Sequence, residues 1–321
     1  MTALPVRLAH QLDLIPEEQR WLIEGLWGAE AVGIVGGEPK CCKSFLALDM
    51  AVSVASASPC LRRFPVARPG TVLLFAAEDS LPVVRQRLDS ICESAAVRLC
   101  DLDLQVIVAP TIRLDLELDR TRLEDTVSAL RPTLLVLDPF VRLHRIDENV
   151  SAEVAPLLDY LRCLQRRYHV AVALVHHARK GAAHLRAGQA LRGSSELHAW
   201  GDSNLYLRRM GNADQISLVI EHRAAASSDG LMLHLLARGN GLALHVLDDH
   251  APVAPPPPSV TDAIERILAE ADRPLSLRAI RAKAKLRAAR VSDALTALVT
   301  DGRIQKTESG YRLSDGASPP P

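Results

Sequence analysis

The stretch AVGIVGGEPKCCKSFLALDMAVSVAS, residues 31–56, runs from a continuous apolar segment through a glycine-led turn into a sequence with helical spacing. Gly37, Lys43 and Ser44 fit the pattern G-x-x-x-x-G-K-S/T of a loop that cradles phosphates, but Cys42 stands where the second glycine belongs. A buried strand entering such a loop, with a helix opening at Lys43-Ser44, aims backbone N–H groups and the positive helix end at an anion. Lys43 is then placed to reach β- and γ-phosphates, and Ser44 to hold Mg²⁺. Gly37, Glu38, Pro39, Lys40, Cys41, Cys42, Lys43 and Ser44 are therefore the candidate ATP-binding residues. If the loop needs a positive φ at position 42, the cysteine Cβ costs about 1–3 kcal/mol there. Read alone, the loop is equally a glycine-rich turn with an incidental lysine.

Outward from this stretch the chain alternates. Apolar runs at 71–78 (TVLLFAAE), 104–109 (LQVIVA), 133–138 (TLLVLD) and 170–177 (VAVALVHH) are separated by the helically spaced segments LPVVRQRLDSICESA, TRLEDTVSALR and VAPLLDYLRCLQRR. Continuous apolar strands between helices predict an α/β fold, a mostly parallel sheet covered on both faces. After residue 203 helical spacing ends. SNLYLRRM, QISLVIEHR, LMLHLLAR and LALHVLD predict an antiparallel meander that extends the sheet.

Ligands of a parallel α/β sheet bind at the carboxyl ends of its strands. Glu78 and Asp79 lie at one such end. A carboxylate there can polarise an attacking water, so Glu78 is the candidate catalytic residue, with Asp79 and Ser80 as caps of the following helix. Four apolar residues precede Asp138, the form of an acidic residue that supports Mg²⁺ through water. His176 and His177 end the next run and alternate faces, so one of them can face a cleft. Neither has a third ligand at metal-site spacing.

The set WLIEGLWGAEAVGIVGGEPKCCKS, FAAEDS, LLVLDPF, LVHHARK and RGSSELHAWGD, in that order over about residues 20–250, resembles the RecA-like ATPases, most closely the hexameric helicase ATPases of the plasmid RepA kind. The resemblance implies Glu78 as catalytic base, Asp138 as the Walker-B aspartate and His177 as the polar sensor. Such proteins carry a late K-x-R pair that reaches a neighbouring subunit. Here it reads Glu221-His222-Arg223, so Arg223 fits an arginine finger while Glu221 replaces the lysine. The resemblance also makes two loops candidates for single-stranded DNA in a central channel: VRLHRIDEN, with Arg142 and Arg145, and ARKGAAHLRAGQALRG, with Arg179, Lys180, Arg186 and Arg192. Arg192-Gly193-Ser194 alternatively belongs to the nucleotide site.

Residues 251–259, APVAPPPPS, contain four consecutive prolines, which favour an extended spacer. The expected organisation is an ATPase domain over 1–250, a linker over 251–258, a second domain over 259–315 and a disordered tail over 316–321. The second domain reads as three helices and a hairpin. One helix carries Val260, Ile264, Ile267 and Leu268 on a face. Another, LSLRAIRAKAKL, is opened by Ser276. The third turns Val291, Leu295, Leu298 and Val299 inward and stops at Gly302. The pattern resembles a winged helix-turn-helix. Its eleven basic and eight acidic side chains leave +3. Lys285, Arg287 and Arg290 are concentrated where a recognition helix meets duplex DNA.

Composition bounds the rest. The 321 residues are 48% apolar, 24% charged and 3% aromatic, with a formal net charge of zero, so global charge points to no partner. No apolar run reaches the ~18 residues of a membrane span, and the first twenty residues lack a secretory pattern. The six cysteines show no C-x-x-C spacing, and a cytoplasmic setting is expected. The expected function is an ATP- and Mg²⁺-dependent, hexameric DNA motor of a plasmid or mobile element. The alternatives are a non-unwinding ATP switch, such as a loader or regulator, and a DNA-binding regulator with an inactive ATPase core.

Overall fold

The computed structural model describes residues 4, 6–12, 16, 19–178, 196–210, 215–225, 228–238, 241–247, 260–269, 271, 273–284, 288–307 and 309–314. The chain divides into two units, Met1–Ala254 and Pro255–Pro321.

In the larger unit, β1 (Trp21–Ile23) and β2 (Trp27–Gly28) form a small hairpin. The apolar run of the opening stretch becomes β3 (Val32–Gly37), followed by α1 (Lys43–Ser56). Next come β4 (Val72–Ala76), α2 (Leu81–Ser94), β5 (Leu104–Val106), α3 (Glu117–Leu130), β6 (Leu134–Asp138), α4 (Ser151–Tyr168) and β7 (Ala171–His177). The short α5 (Glu196–Trp200) precedes β8 (Ser203–Arg209), β9 (Gln215–His222), β10 (Ser228–Arg238) and β11 (Gly241–Val246). Among the described residues, nine strands form one sheet in the order β11-β10-β9-β8-β3-β7-β6-β4-β5. From β8 to β5 the neighbours are parallel, and β8 to β11 continue antiparallel. This is the expected α/β architecture.

Strand alternation divides the core. Val35, Val72, Leu74, Leu134, Val136, Ala173 and Val175 pack with α1 and α2, through Leu46, Met50, Val84 and Leu88. Ile34, Leu73, Phe75, Leu135, Leu137, Val172 and Leu174 pack with α3 and α4, through Leu123, Val127, Leu157 and Leu161. Two faces buried at once require apolar residues at successive positions, which is why these strands read as unbroken runs. In the central β3, a Cβ on Gly33 would lie 1.6 Å from the Ser203 carbonyl oxygen, so the close passage of β3 and β8 demands glycine.

Inside the first layer, the Asp49 carboxylate on α1 accepts from Leu61 N at 2.9 Å and pairs with Arg62. This ties the segment leaving α1 to the helix that starts at the phosphate-type loop.

Several boundaries differ from the expectations. β5 is three residues long where six were expected, because it is an edge strand with one neighbour. Helix α3 starts at Glu117, four residues early. The hairpin β1–β2 was not expected, since two- and three-residue strands show no usable alternation.

The smaller unit contains α6 (Val260–Ala269), α7 (Leu277–Ala284), α8 (Ala288–Thr300) and the hairpin β12 (Ile304–Thr307) with β13 (Gly310–Leu313). Ile264, Leu268, Ile280, Val291, Leu295, Leu298 and Ile304 form its core. Ser276 accepts from Ala279 N at 3.3 Å and caps α7. Leu275, just before that cap, bridges Tyr311. Val299 is 39% exposed rather than inward. The inward stripe runs through 291, 294, 295 and 298, and the next residue falls about 100° away on a 3.6-residue helix.

Candidate nucleotide site

The strands β3, β4, β6 and β7 run parallel, so Gly37, Ala76, Asp138 and His177 end on one edge. Register places His177 beside Gly37, and Ala178 N donates to Gly37 O at 2.8 Å. Asp138 lies beside Ala76, and Ala77 N donates to Asp138 O at 2.7 Å. Continuing the alternation, Asp138 and His177 fall on the α1 face. His176 falls on the opposite face, buried, its ring 5.8 Å from that of Phe140.

The loop itself is tightly wound. Lys40 and Cys42 adopt left-handed φ values of 63° and 64°. The steric demand anticipated at position 42 is therefore present, met by a cysteine instead of a glycine. A Cβ on Gly37 would lie 2.3 Å from Leu207 O and 2.7 Å from Cys41 Sγ, so that position admits only glycine. Cys42 is the N-cap of α1 and makes no side-chain cap bond, and the first turn holds no acidic residue. The N–H groups of this helix start would face an anion bound at the loop. Lys43 is 6% exposed, its Nζ donating to Glu38 O at 2.7 Å and lying 3.9 Å from Cys41 Sγ. The buried amine thus closes over its own loop, where it would meet a phosphate group. Burial pushes the Cys41 thiol pKa up, opposed by the Lys43 charge.

Burial pushes the Asp138 carboxyl up to about 6. The nearby Ser44 hydroxyl and the Lys43 charge oppose the rise, while the negative charges of Asp79 and Glu78 add to it. Among the described residues no three acidic, histidine or cysteine side chains cluster as a metal site, so Mg²⁺ here would be held by Ser44 and Asp138 together with the nucleotide's own phosphate oxygens. These residues fit a nucleotide with its cation. Lys43 and the loop N–H groups would hold phosphates, and Ser44 and Asp138 would hold the metal side.

Glu78 follows β4, its Oε1 3.2 Å from Arg142 Nε. Asp79 and Ser80 were expected as caps. Ser80 occupies the N-cap of α2 but makes no cap bond, and Asp79 pairs with Arg87 instead. The guanidinium of Arg87 competes more strongly for that carboxylate than a backbone N–H does.

Arg223 follows β9. Within its own chain it lies 3.4 Å from Asp202 and donates to the carbonyl of Ala199. Asp202 also pairs with Arg162. Glu221 lies 3.8 Å from His198. The loop residues Arg179, Lys180, Arg186 and Arg192, and Lys285 and Arg287 of the smaller unit, lie outside the described residues. Arg290 is on α8, and its side chain also lies outside the description. One contact had no sequence signal. Arg209, ending β8, donates to the Lys40 carbonyl at 3.0 Å and so braces the loop from a strand remote in sequence.

Among solved structures, similarity extends to the RadB recombinase. The match has 16% identity and a TM-score of 0.48, and covers 68% of this chain and 92% of that one. A KaiC-like protein from Pyrococcus horikoshii OT3 has 14% identity and a TM-score of 0.46, with 70% and 93% covered. No helix among the described residues is long and apolar enough to cross a membrane. Residues 2–183 match the profile described as an AAA domain, more than half of the 321-residue chain, and the chain belongs to that family.

Proposed function

We propose that this chain is an ATP-dependent motor acting on DNA, of the plasmid RepA hexameric-helicase kind. In this reading residues 1–250 are the ATPase domain, 251–258 the linker, 259–315 a winged helix-turn-helix and 316–321 a tail. The observation that carries the ATPase part is that the buried Lys43, at the start of α1, and the buried Asp138, at the end of β6, come to the same edge of the sheet as Gly37. Two segments remote in sequence thus bring together a cation and a carboxylate, the group types that a phosphate and its metal ion call for, which supports this reading. The three helices and hairpin of the smaller unit support the DNA part, with duplex contacts assigned to Lys285, Arg287 and Arg290. Single-strand contacts in a central channel are assigned to Arg179, Lys180, Arg186 and Arg192.

The chemistry follows from the residues. Lys43 and the loop N–H groups hold and neutralise the phosphates. Mg²⁺, when bound, supplies further charge stabilisation at the γ-phosphate. Glu78 takes the proton of the attacking water as its oxygen bonds to phosphorus and the bond to ADP breaks. His177, next to Gly37, is assigned to sense the γ-phosphate, and Arg223 to a neighbouring subunit's site.

A non-unwinding ATP switch is the second reading. It is favoured by the ties of Arg223 to Asp202 and Ala199 inside its own chain and by Glu221 in place of a lysine. ATPase activity with and without single-stranded DNA, with mass measured in ATP and unwinding of a forked duplex, decides between them. Stimulated turnover, a six-subunit mass and strand separation are expected. Stimulated turnover without strand separation establishes the switch.

A further inference from the structure

Arg209 has no part in the chemistry above, yet it stands at the loop. It ends β8, where its backbone is paired with Ile216 of β9. Leu205 and Leu207 of β8 face the α1 layer, and Tyr206 faces the other. Alternation carries Arg209 to the α1 face, the face of Asp138 and His177. β8 also runs hard against the first loop residue. Leu207 is in register with Gly37, and its carbonyl leaves no room there for a Cβ. From this fixed strand Arg209 Nη2 donates to the Lys40 carbonyl at 3.0 Å. Lys40 holds a left-handed φ of 63°, which L side chains disfavour, and residues 38–44 contain no glycine to relax the turn. The Lys40–Cys41 peptide is trans, so its C=O and N–H point to opposite sides. A Lys40 carbonyl fixed on the Arg209 side therefore sends the Cys41 N–H the other way.

We propose that Arg209 is a positioning residue of the phosphate loop. By holding the Lys40 carbonyl outward, it presents the Cys41 N–H to the nucleotide's phosphates. This rests on the reading of residues 37–44 as that loop. The loop is tied at two carbonyls, Glu38 by Lys43 and Lys40 by Arg209. A phosphate that takes Lys43 releases the first tie, and the second remains to keep the loop wound. The N–H groups of such a loop serve the α- and β-phosphates, so ATP and ADP gain alike from the brace. Binding that is equal in the ground and transition states leaves kcat unchanged, so the brace acts on affinity and not on the hydrolytic step.

The test uses the full chain, with calorimetric titration of ADP and of a non-hydrolysable ATP analogue beside steady-state ATP turnover. Arg209→Ala, Arg209→Lys and Lys43→Ala are compared with wild type, after thermal melting shows that each is folded. In Arg209→Ala both dissociation constants are expected to rise about 2- to 10-fold, the worth of one hydrogen bond. Its kcat at saturating ATP should stay within about twofold of wild type. Arg209→Lys keeps a cationic donor and is expected to bind both nucleotides more tightly than Arg209→Ala. Lys43→Ala is expected to bind neither. Wild-type affinities in Arg209→Ala, with binding lost in Lys43→Ala, overturn the brace alone. A loss confined to the ATP analogue makes Arg209 a ligand of the γ-phosphate and overturns the brace. Binding by Arg209→Lys no tighter than by Arg209→Ala overturns the hydrogen bond as the cause. Wild-type affinity in Lys43→Ala overturns the reading of the loop, and the brace with it.

Discussion

Replacing Cys42 by glycine tests the loop most sharply, because the structure supplies both the cause and the size of the effect. Cys42 is held at φ 64° and ψ 25°, where an L-residue pays roughly 1–2 kcal/mol for its Cβ. Cys42→Gly removes that cost. It also gives the unfolded chain more freedom, which offsets the gain by about 0.5–1 kcal/mol. The partly buried thiol's packing against the core is lost as well. The net expectation is a gain of up to about 1 kcal/mol, or ~2–4 °C in Tm for a unit of this size. Cys42→Ala is the control. It loses the same thiol but keeps the Cβ and the strain, so it should be no more stable than wild type. Urea and thermal unfolding of the two variants measure the difference, and ATP turnover is expected to be preserved or raised in Cys42→Gly. Lower stability for Cys42→Gly than for Cys42→Ala, or a tenfold loss of turnover, would refute the argument from backbone strain.

Lys43→Ala should abolish ATP binding in calorimetry while leaving the far-ultraviolet spectrum intact, and unchanged affinity would remove Lys43 from the phosphate site. Asp49→Ala leaves Arg62 without its buried partner and Leu61 N without its acceptor, so the larger unit should lose about 3 kcal/mol in urea unfolding. A loss under ~1 kcal/mol would show the pair to be dispensable. A chain ending near residue 251 should keep basal ATPase but bind duplex DNA more weakly. The isolated segment from residue 259 should bind duplex with affinity that falls steeply as salt rises, because its cations displace counterions. Equal duplex affinity for full and shortened chains in fluorescence anisotropy would leave the smaller unit as a protein-contact module.

Much of the parallel sheet was legible because a strand buried on both faces must be apolar at every position, and VGIVGG, LLVLD and AVALVHH stand out as such runs. The loop was legible for a related reason. The glycine-led turn between an apolar run and helical spacing marks the passage from β3 to α1, with Gly37 closing the strand and Lys43 opening the helix. Four prolines interrupt both helix and sheet, and they set the expected boundary at 251–258.

Tertiary structure decided what depends on partners remote along the chain. The left-handed turn at Cys42 reflects the path of the whole loop, and no local propensity of cysteine announces it. Which of two adjacent histidines lies on the α1 face follows from register with β3, not from composition. Glu78 and Arg142 are 64 positions apart, Lys40 and Arg209 are 169 apart, and each pair meets only because the sheet brings its strand ends to one edge. A local pattern records what one segment needs of its own backbone. Pairings between segments depend on how separate stretches pack, and only the folded chain holds that information.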